Sequence, residues 1–468
     1  MSGSARCPYP GLRSFLREEA DLFFGRESCI DRMVDKLGAT RFLAVLGSSG
    51  SGKSSLVRTG LLEALDLGLL ARAGVHWSVA LMRPGDRPML NLARSLLALS
   101  QSAAEPAPSR LDIEMLASFL TRGPRAVVEW CQDGHLQPGR NLLLLVDQFE
   151  ELFRYGDYAG HEEAEAFVSL LLESSRAADV PIYVVMTMRS EFLGACALFP
   201  GLAERINEGL YLAPRMTRQE IREAIEGPAG VCGFSLEPAL VNRLLNDLAS
   251  FAPWEDEYRT DQTAMLSRRA DQLPLMQHVL NRMWMQADAM GQGVPVRITL
   301  DEYERLGGLN GALDAHAREV LESLPGEERA LVGTVFRALT SGPGVDTATR
   351  RPSRFGELVA VAHGRRDSVL AIVNAFRALG CNFLTPPEGV PLEDTTIVDI
   401  SHESLIRQWS ELRGWLRDEA QSAETYRHIE QTAELRSKKE AGLLRMPYLA
   451  VALAWRRGED PTAAWAAR

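Results

Sequence analysis

Phe42-Leu43-Ala44-Val45-Leu46-Gly47-Ser48-Ser49-Gly50-Ser51-Gly52-Lys53-Ser54-Ser55 reads as a short strand, a tight glycine loop and the start of a helix. The apolar run ends at Gly47, the pattern Gly-x4-Gly-Lys-Ser follows, and Leu56, Val57, Leu61, Leu62 and Leu65 then recur at helical spacing. Gly47, Gly50 and Gly52 can take positive φ and let backbone N–H groups converge on phosphate oxygens. A helix starting near Lys53 adds its N-terminal dipole, Lys53 supplies a mobile charge for the β- and γ-phosphates, and Ser54 offers a hydroxyl to Mg2+. A flexible Gly/Ser linker is the competing explanation, but a linker would not be bounded by a buried strand and an amphipathic helix.

The second informative stretch is Asn141-Leu142-Leu143-Leu144-Leu145-Val146-Asp147-Gln148-Phe149-Glu150-Glu151. Its unbroken apolar run fits a central parallel strand buried on both faces, and it ends in three carboxylates. Asp147, at the C-terminal end of that strand, is placed to hold Mg2+ through water, because ligands of open α/β sheets bind at that edge. Glu150 or Glu151 could orient an attacking water; acidic residues favoured by a helix N-terminus are the plainer explanation for both. Further strands are expected at 75–81, 181–189 and 209–213. The 181–189 strand brings Arg189 out at the same edge, either to sense a γ-phosphate or to pair with Glu191.

Outside this sheet the pattern differs. Tyr9-Pro10-Gly11-Leu12 is a rigid turn, and Phe23-Phe24-Gly25-Arg26-Glu27 precedes a helical stretch; the two aromatic residues suit a core better than a purine contact. A proline-rich loop is expected at 102–109. From Thr217-Arg218-Gln219-Glu220, a capping box, the periodicity is helical, and Asp271-Gln272-Leu273-Pro274-Leu275 puts a proline at a helix start. Helices at 313–324, 327–339 and 369–379 precede two short strands, 381–384 and 395–400, and a helix at 403–416; helices followed by a hairpin suggest a winged helix. The expected division is an N-terminal segment 1–40, an α/β P-loop domain 41–216 built on a five-stranded parallel sheet, a helical bundle 217–308, a winged-helix domain 309–420 and a helical connector 421–468.

Composition narrows the setting. Apolar content of 46% and charged content of 24% over 468 residues match a soluble globular chain. A net charge of −11 gives no general attraction to nucleic acid or anionic lipid. The six cysteines show no CxxC spacing, which argues against a zinc site or a disulfide framework and favours a reducing cytoplasm. No apolar run reaches the ~18 residues of a membrane span, and no signal peptide opens the chain.

The order of these motifs resembles the STAND signalling NTPases, in particular the prokaryotic novel STAND group. The resemblance rests on Tyr9-Pro10-Gly11-Leu12, Phe24-Gly25-Arg26-Glu27, the loop 47–54 and Asp147-Gln148-Phe149-Glu150-Glu151. It continues through Thr187-Met188-Arg189, Leu273-Pro274-Leu275 and Ser401-His402-Glu403-Ser404-Leu405-Ile406-Arg407-Gln408-Trp409. It implies a switch that holds ADP in a closed monomer and oligomerises on exchange for ATP, working with a sensor and an effector module, fused or separate, in prokaryotic defence or cell death. It further implies that Gly25, Arg26, Glu27 and Pro274 frame the adenine and that Lys53 and Ser54, within the nucleotide-binding run Gly47, Gly50, Ser51, Gly52 to Ser55, serve the phosphates and Mg2+. Asp147 would hold the metal, Glu150 and Glu151 would form the acidic pair, Arg189 would be the sensor, and His402 would contact the ADP β-phosphate. Gln148 stands where many related ATPases carry a catalytic glutamate, which implies slow hydrolysis.

Two other functions fit part of the pattern. A DNA-dependent ATPase also joins a P-loop domain to a winged helix, but residues 404–417 mix Arg407, Arg413 and Arg417 with Glu411 and are followed by Asp418 and Glu419. A metabolic P-loop kinase would have little use for about 250 residues after the sheet.

Overall fold

The computed structural model describes residues 6–100, 108–154, 160–250, 272–290, 297–342, 344–345, 347–439, 442–459 and 461–466. Most of the loop expected at 102–109 falls outside these, as do Asp271 and parts of the expected helical bundle (251–270, 291–296). The chain forms two compact units, Ser14–Val231 and Met1–Arg13 with Cys232–Arg468.

The first unit is an α/β layer structure around a five-stranded parallel sheet. Its strands are β1 (Phe42–Gly47), β2 (Trp77–Met82), β3 (Asn141–Val146), β4 (Ile182–Arg189) and β5 (Leu210–Leu212), in the order β2-β3-β4-β1-β5. Every residue of β1, β3 and β4 is buried. Alternation along the strands explains this. Phe42, Ala44, Leu46, Leu142, Leu144 and Val146 enter one core, whereas Leu43, Val45, Leu143 and Leu145 enter a second on the opposite face. Each buried leucine contributes roughly 1.5–3 kcal/mol, so a charge at Leu144 would open the sheet from its centre.

Helix α1 (Glu27–Thr40) precedes β1, and helix α2 (residues 53–66), π-helical over Leu56–Leu61, follows the glycine loop. Leu56, Val57, Leu61, Leu62 and Leu65 of α2 are buried as their spacing requires. The 14–24 segment lies on α2: the Phe15 amide donates to Ser55 Oγ (3.2 Å) and Thr59 Oγ1 donates to the Leu16 carbonyl (3.2 Å). Phe23 stacks edge-on against Phe15, and Phe24 presses on Gly227, where an added Cβ would lie 2.6 Å from its ring. Both aromatic residues are packed. The Thr217 capping box forms, with the Thr217 amide donating to Glu220 (2.6 Å) and the Glu220 amide to Thr217 Oγ1 (3.2 Å).

The second unit is mainly helical. Helices Pro238–Ser250, Gln272–Met290, Gly308–Ser323, Gly326–Ala338 and Arg366–Arg377 lie close to the helical stretches expected from the sequence. Leu384–Thr385 and Ile397–Ile400 pair antiparallel, and Ser353–Arg354, which sequence patterning missed, adds a third strand. The single helix expected at 403–416 is instead two, Ser404–Gln408 and Ser410–Ser437, separated by extended backbone at Trp409. Burial is the cause. The Trp409 ring is fully enclosed by Phe336, Phe376 and Trp415, and Asp314 accepts the Ser410 amide (2.7 Å) that the break frees. Beyond it the chain folds back rather than running straight, since Trp455 Nε1 donates to Ser422 Oγ (2.6 Å) and Trp465 Nε1 to Glu419 (2.8 Å).

Candidate nucleotide-binding site

Strand order assembles the site. β4 lies between β1 and β3, with Gly47 opposite Arg189 and Val146 opposite Met186, so three strand ends deliver the glycine loop, Arg189 and Asp147 to one edge. Gly50 (φ 71°) and Gly52 (φ 83°) occupy the left-handed region in the loop. Gly47 differs from the expectation: it ends β1 without positive φ, and its missing side chain makes room for Ser51 Oγ, 2.8 Å from where a Cβ would sit. The Lys53 ammonium donates to the Gly47 (2.8 Å) and Ser48 (2.7 Å) carbonyls of its own loop. Burial pulls its pKa down to about 8, against the pull of Glu150 in the other direction.

Asp147 is fully buried. Its Oδ1 accepts from Ser54 Oγ (2.8 Å) and Thr187 Oγ1 (2.6 Å), and its Oδ2 faces Arg58 (2.9 Å) with Arg83 further out (4.0 Å). Burial pushes this carboxyl up, but the two guanidinia and the two hydroxyls outweigh it and hold the pKa below the usual carboxylate range. The next residue, Gln148, has φ 60°, and its amide donates to Thr187 Oγ1 (2.9 Å), while the Phe149 amide donates to the Thr187 carbonyl (2.8 Å). The chain therefore turns sharply at the edge and hooks onto β4.

Glu150 and Arg189 meet. Arg189 Nε lies 3.3 Å from Glu150 Oε1, and the Arg189 amide donates to Oε2 (3.4 Å). Arg189, expected either to sense a γ-phosphate or to pair with Glu191, is thus engaged by Glu150. Glu151 turns away and accepts the Gly85 amide (3.1 Å) at the end of β2.

Arg26 is buried, donating to the Ser51 carbonyl of the glycine loop (3.1 Å) and to the Pro214 carbonyl (2.7 Å). Gly25 lets it get there: at φ 79°, a Cβ would lie 2.3 Å from the Glu220 carbonyl oxygen. Glu27 Oε1 accepts the Gly25 amide (3.1 Å). Ser55 faces the 14–24 segment through its bond to Phe15.

Pro274 and His402 belong to the second unit. Pro274 sits in the first turn of Gln272–Met290. His402 follows the Ile397–Ile400 strand, with Nδ1 accepting from the Ser404 amide (3.2 Å) and 2.7 Å from Ser404 Oγ. Arg350 bridges Asp399 (2.8 Å) and Glu403 (2.9 Å) on either side of it in sequence.

Sequence patterning missed Arg58, Arg83 and the part played by Thr187. Only Arg58 left a local signal, four residues after Ser54 on the same helix and hence on its face.

A glycine loop opening a helix, a lysine folded into it and a serine bonded to the aspartate of a neighbouring strand end define a P-loop nucleotide-binding domain. The chain matches the family described as Novel STAND NTPase 1 over residues 8–441 and belongs to that family. A search of curated proteins gave no match. Among solved structures it is similar to the Aeropyrum pernix ORC1 protein in complex with DNA, at 17% identity, covering 86% of this chain and 94% of that one, with a TM-score of 0.42. It is also similar to the Aeropyrum pernix ORC2 protein (15%, 67% and 74%, TM-score 0.39) and to the Pyrobaculum aerophilum CDC6P protein (15%, 84% and 94%, TM-score 0.34). Among the described residues, no helix is long and apolar enough to cross a membrane.

Proposed function

We propose that this NTPase is an ATP/ADP switch, closed with ADP at rest and oligomerising after exchange for ATP to pass a signal to an effector. The observation that carries this reading is the engagement of both acidic residues after Asp147: Glu150 by Arg189 and Glu151 by the Gly85 amide. With Gln148 beside Asp147, neither member of the acidic pair is left poised as a base, which suits slow turnover and a long-lived bound state.

The residues fit a Mg2+-nucleotide. Gly50, Gly52 and Lys53 supply the phosphate cradle, and Ser54 with Asp147 supplies hard oxygen donors. Bound there, Mg2+ would neutralise phosphate charge. Arg26 holds the loop in shape through Ser51, Lys53 exchanges its carbonyl partners for phosphate, and Arg189 is released to a γ-phosphate only by parting from Glu150.

In the same proposal Gly25, Arg26 and Pro274 border the adenine, His402 meets the β-phosphate, residues 217–308 form a helical lid and 309–420 a winged helix. A cytoplasmic role in prokaryotic defence, with a sensor and an effector as partners, follows from the family's character alone.

The test is to denature the purified protein and identify the released nucleotide. Near-stoichiometric ADP supports the switch, and His402→Ala is then expected to form oligomers without a trigger. An empty pocket with rapid ATP turnover would sink it.

A further inference from the structure

We infer that Arg58 is a built-in counter-ion for Asp147, holding the carboxylate while no divalent cation is loaded and giving it up when a metal-nucleotide arrives. This rests on the nucleotide-binding reading above.

A carboxylate enclosed as fully as Asp147 cannot stay ionised without a positive partner, because desolvation costs several kcal/mol. Oδ1 has two hydroxyl donors, which are neutral. The charge is therefore balanced at Oδ2, where the Arg58 guanidinium lies at 2.9 Å and Arg83 stands back at 4.0 Å.

Three features mark Arg58 as a replaceable cation rather than a fixed strut. Its contact is an ion pair without hydrogen-bond geometry, since Asp147 Oδ2 and the buried Arg58 Nε both have no hydrogen-bond partner, whereas a permanent arginine–carboxylate pair is commonly forked by two hydrogen bonds. Its side chain is 20% exposed, against 1% for Asp147, so it has a way out to water. Finally, it rises from the face of α2 that carries Ser54, four residues earlier, so guanidinium and hydroxyl approach one carboxylate from one side. A divalent cation held by Ser54 and, through its waters, by Asp147 would stand beside that guanidinium, and two positive charges there repel. Occupation by one favours departure of the other. Arg58 thus makes the metal-free state tolerable and sets a threshold for metal loading.

The probe is Mn2+, titrated by electron paramagnetic resonance into wild type, Arg58→Met and Arg58→Lys with ADP saturating, beside thermal unfolding in EDTA without nucleotide. Arg58→Met is expected to bind Mn2+ about tenfold more tightly, because the positive charge that competes for Asp147 is gone. It is also expected to melt lower in EDTA, with the deficit shrinking once Mn2+ and ADP saturate. Arg58→Lys, which keeps a charge on a shorter reach, falls between and carries the test if the methionine variant does not fold. Unchanged or weaker Mn2+ binding in variants that still bind ADP would overturn this inference alone, as would an equal thermal deficit with and without Mn2+ and ADP. A wild type that binds neither ADP nor Mn2+ would overturn both this inference and the nucleotide-binding reading.

Discussion

Arg189 and Glu150 neutralise each other 3.3 Å apart, with both side chains more than nine-tenths buried. Removing only the arginine leaves a buried carboxylate without its direct ion-pair partner. Arg189→Met is therefore expected to destabilise the first unit by about 3 kcal/mol, and adding Glu150→Gln to restore most of that loss. Urea unfolding of the single and double variants, followed by tryptophan fluorescence, measures the coupling. Additive losses would show that the pair is not a unit.

Arg26 braces the glycine loop from behind through the Ser51 carbonyl, and its two contacts diverge to two separate carbonyls. A lysine cannot span both. Arg26→Lys and Arg26→Ala are both expected to weaken ADP binding by about tenfold while leaving the sheet folded, as judged by circular dichroism. Full affinity in the lysine variant would refute the bracing role.

Lys53, with its pKa drawn down to about 8 by burial, is partly neutral in mildly alkaline solution. Phosphate favours the charged form, so above pH 8 binding must take up a proton, and ADP affinity is expected to fall by as much as tenfold per pH unit. Calorimetry at pH 9 in buffers of different ionisation enthalpy is expected to report uptake approaching one proton, and Lys53→Met to abolish it. Binding that is independent of pH between 7 and 9 would contradict the assignment.

His278 and His316 stack in the second unit with ring centroids 5.3 Å apart, each also against Phe383. Burial lowers their pKa values to about 3 and about 2, with Arg282 nearby adding to it. Above the unfolded value of about 6.5 both states are neutral and nothing is lost. Below it, the unfolded chain binds protons that the folded chain refuses, so stability falls by up to about 1.4 kcal/mol per pH unit for each histidine. Thermal midpoints from pH 7.5 to 5.5 are expected to drop in wild type and to drop less in His316→Phe. Equal slopes would count against it.

The sequence discloses the sheet because its central strands are apolar throughout and stop at residues with obvious chemistry, Gly47, Asp147 and Arg189. It discloses less of the site because the decisive contacts depend on strand order. Thr187 bonds to Asp147 across 40 positions only because β4 lies beside β3, and Glu150 reaches Arg189 for the same reason. Local periodicity likewise carries the helix expected at 403–416 straight through Trp409, where the demand of an aromatic cluster overrides helical propensity. Arg26 illustrates the limit: the resemblance assigns it to the adenine, and its buried contact with the glycine loop appears only once Ser51 and Pro214 close over it.

The insertion of β4 also bears on how the protein is made. A chain emerging from the ribosome presents its glycine loop first and its acidic strand about a hundred residues later, yet the two belong on opposite sides of a strand not yet synthesised. Until that strand arrives, β1 and β3 have no hydrogen-bonded partner in common, and pairing them directly would produce the wrong sheet. Nucleotide cannot reward such a half-built arrangement, because Asp147 lacks Thr187 and Arg189 is missing. Ligand binding thus selects for completed synthesis, and a nascent chain stalled before residue 182 is expected to carry both sequence motifs and hold no nucleotide.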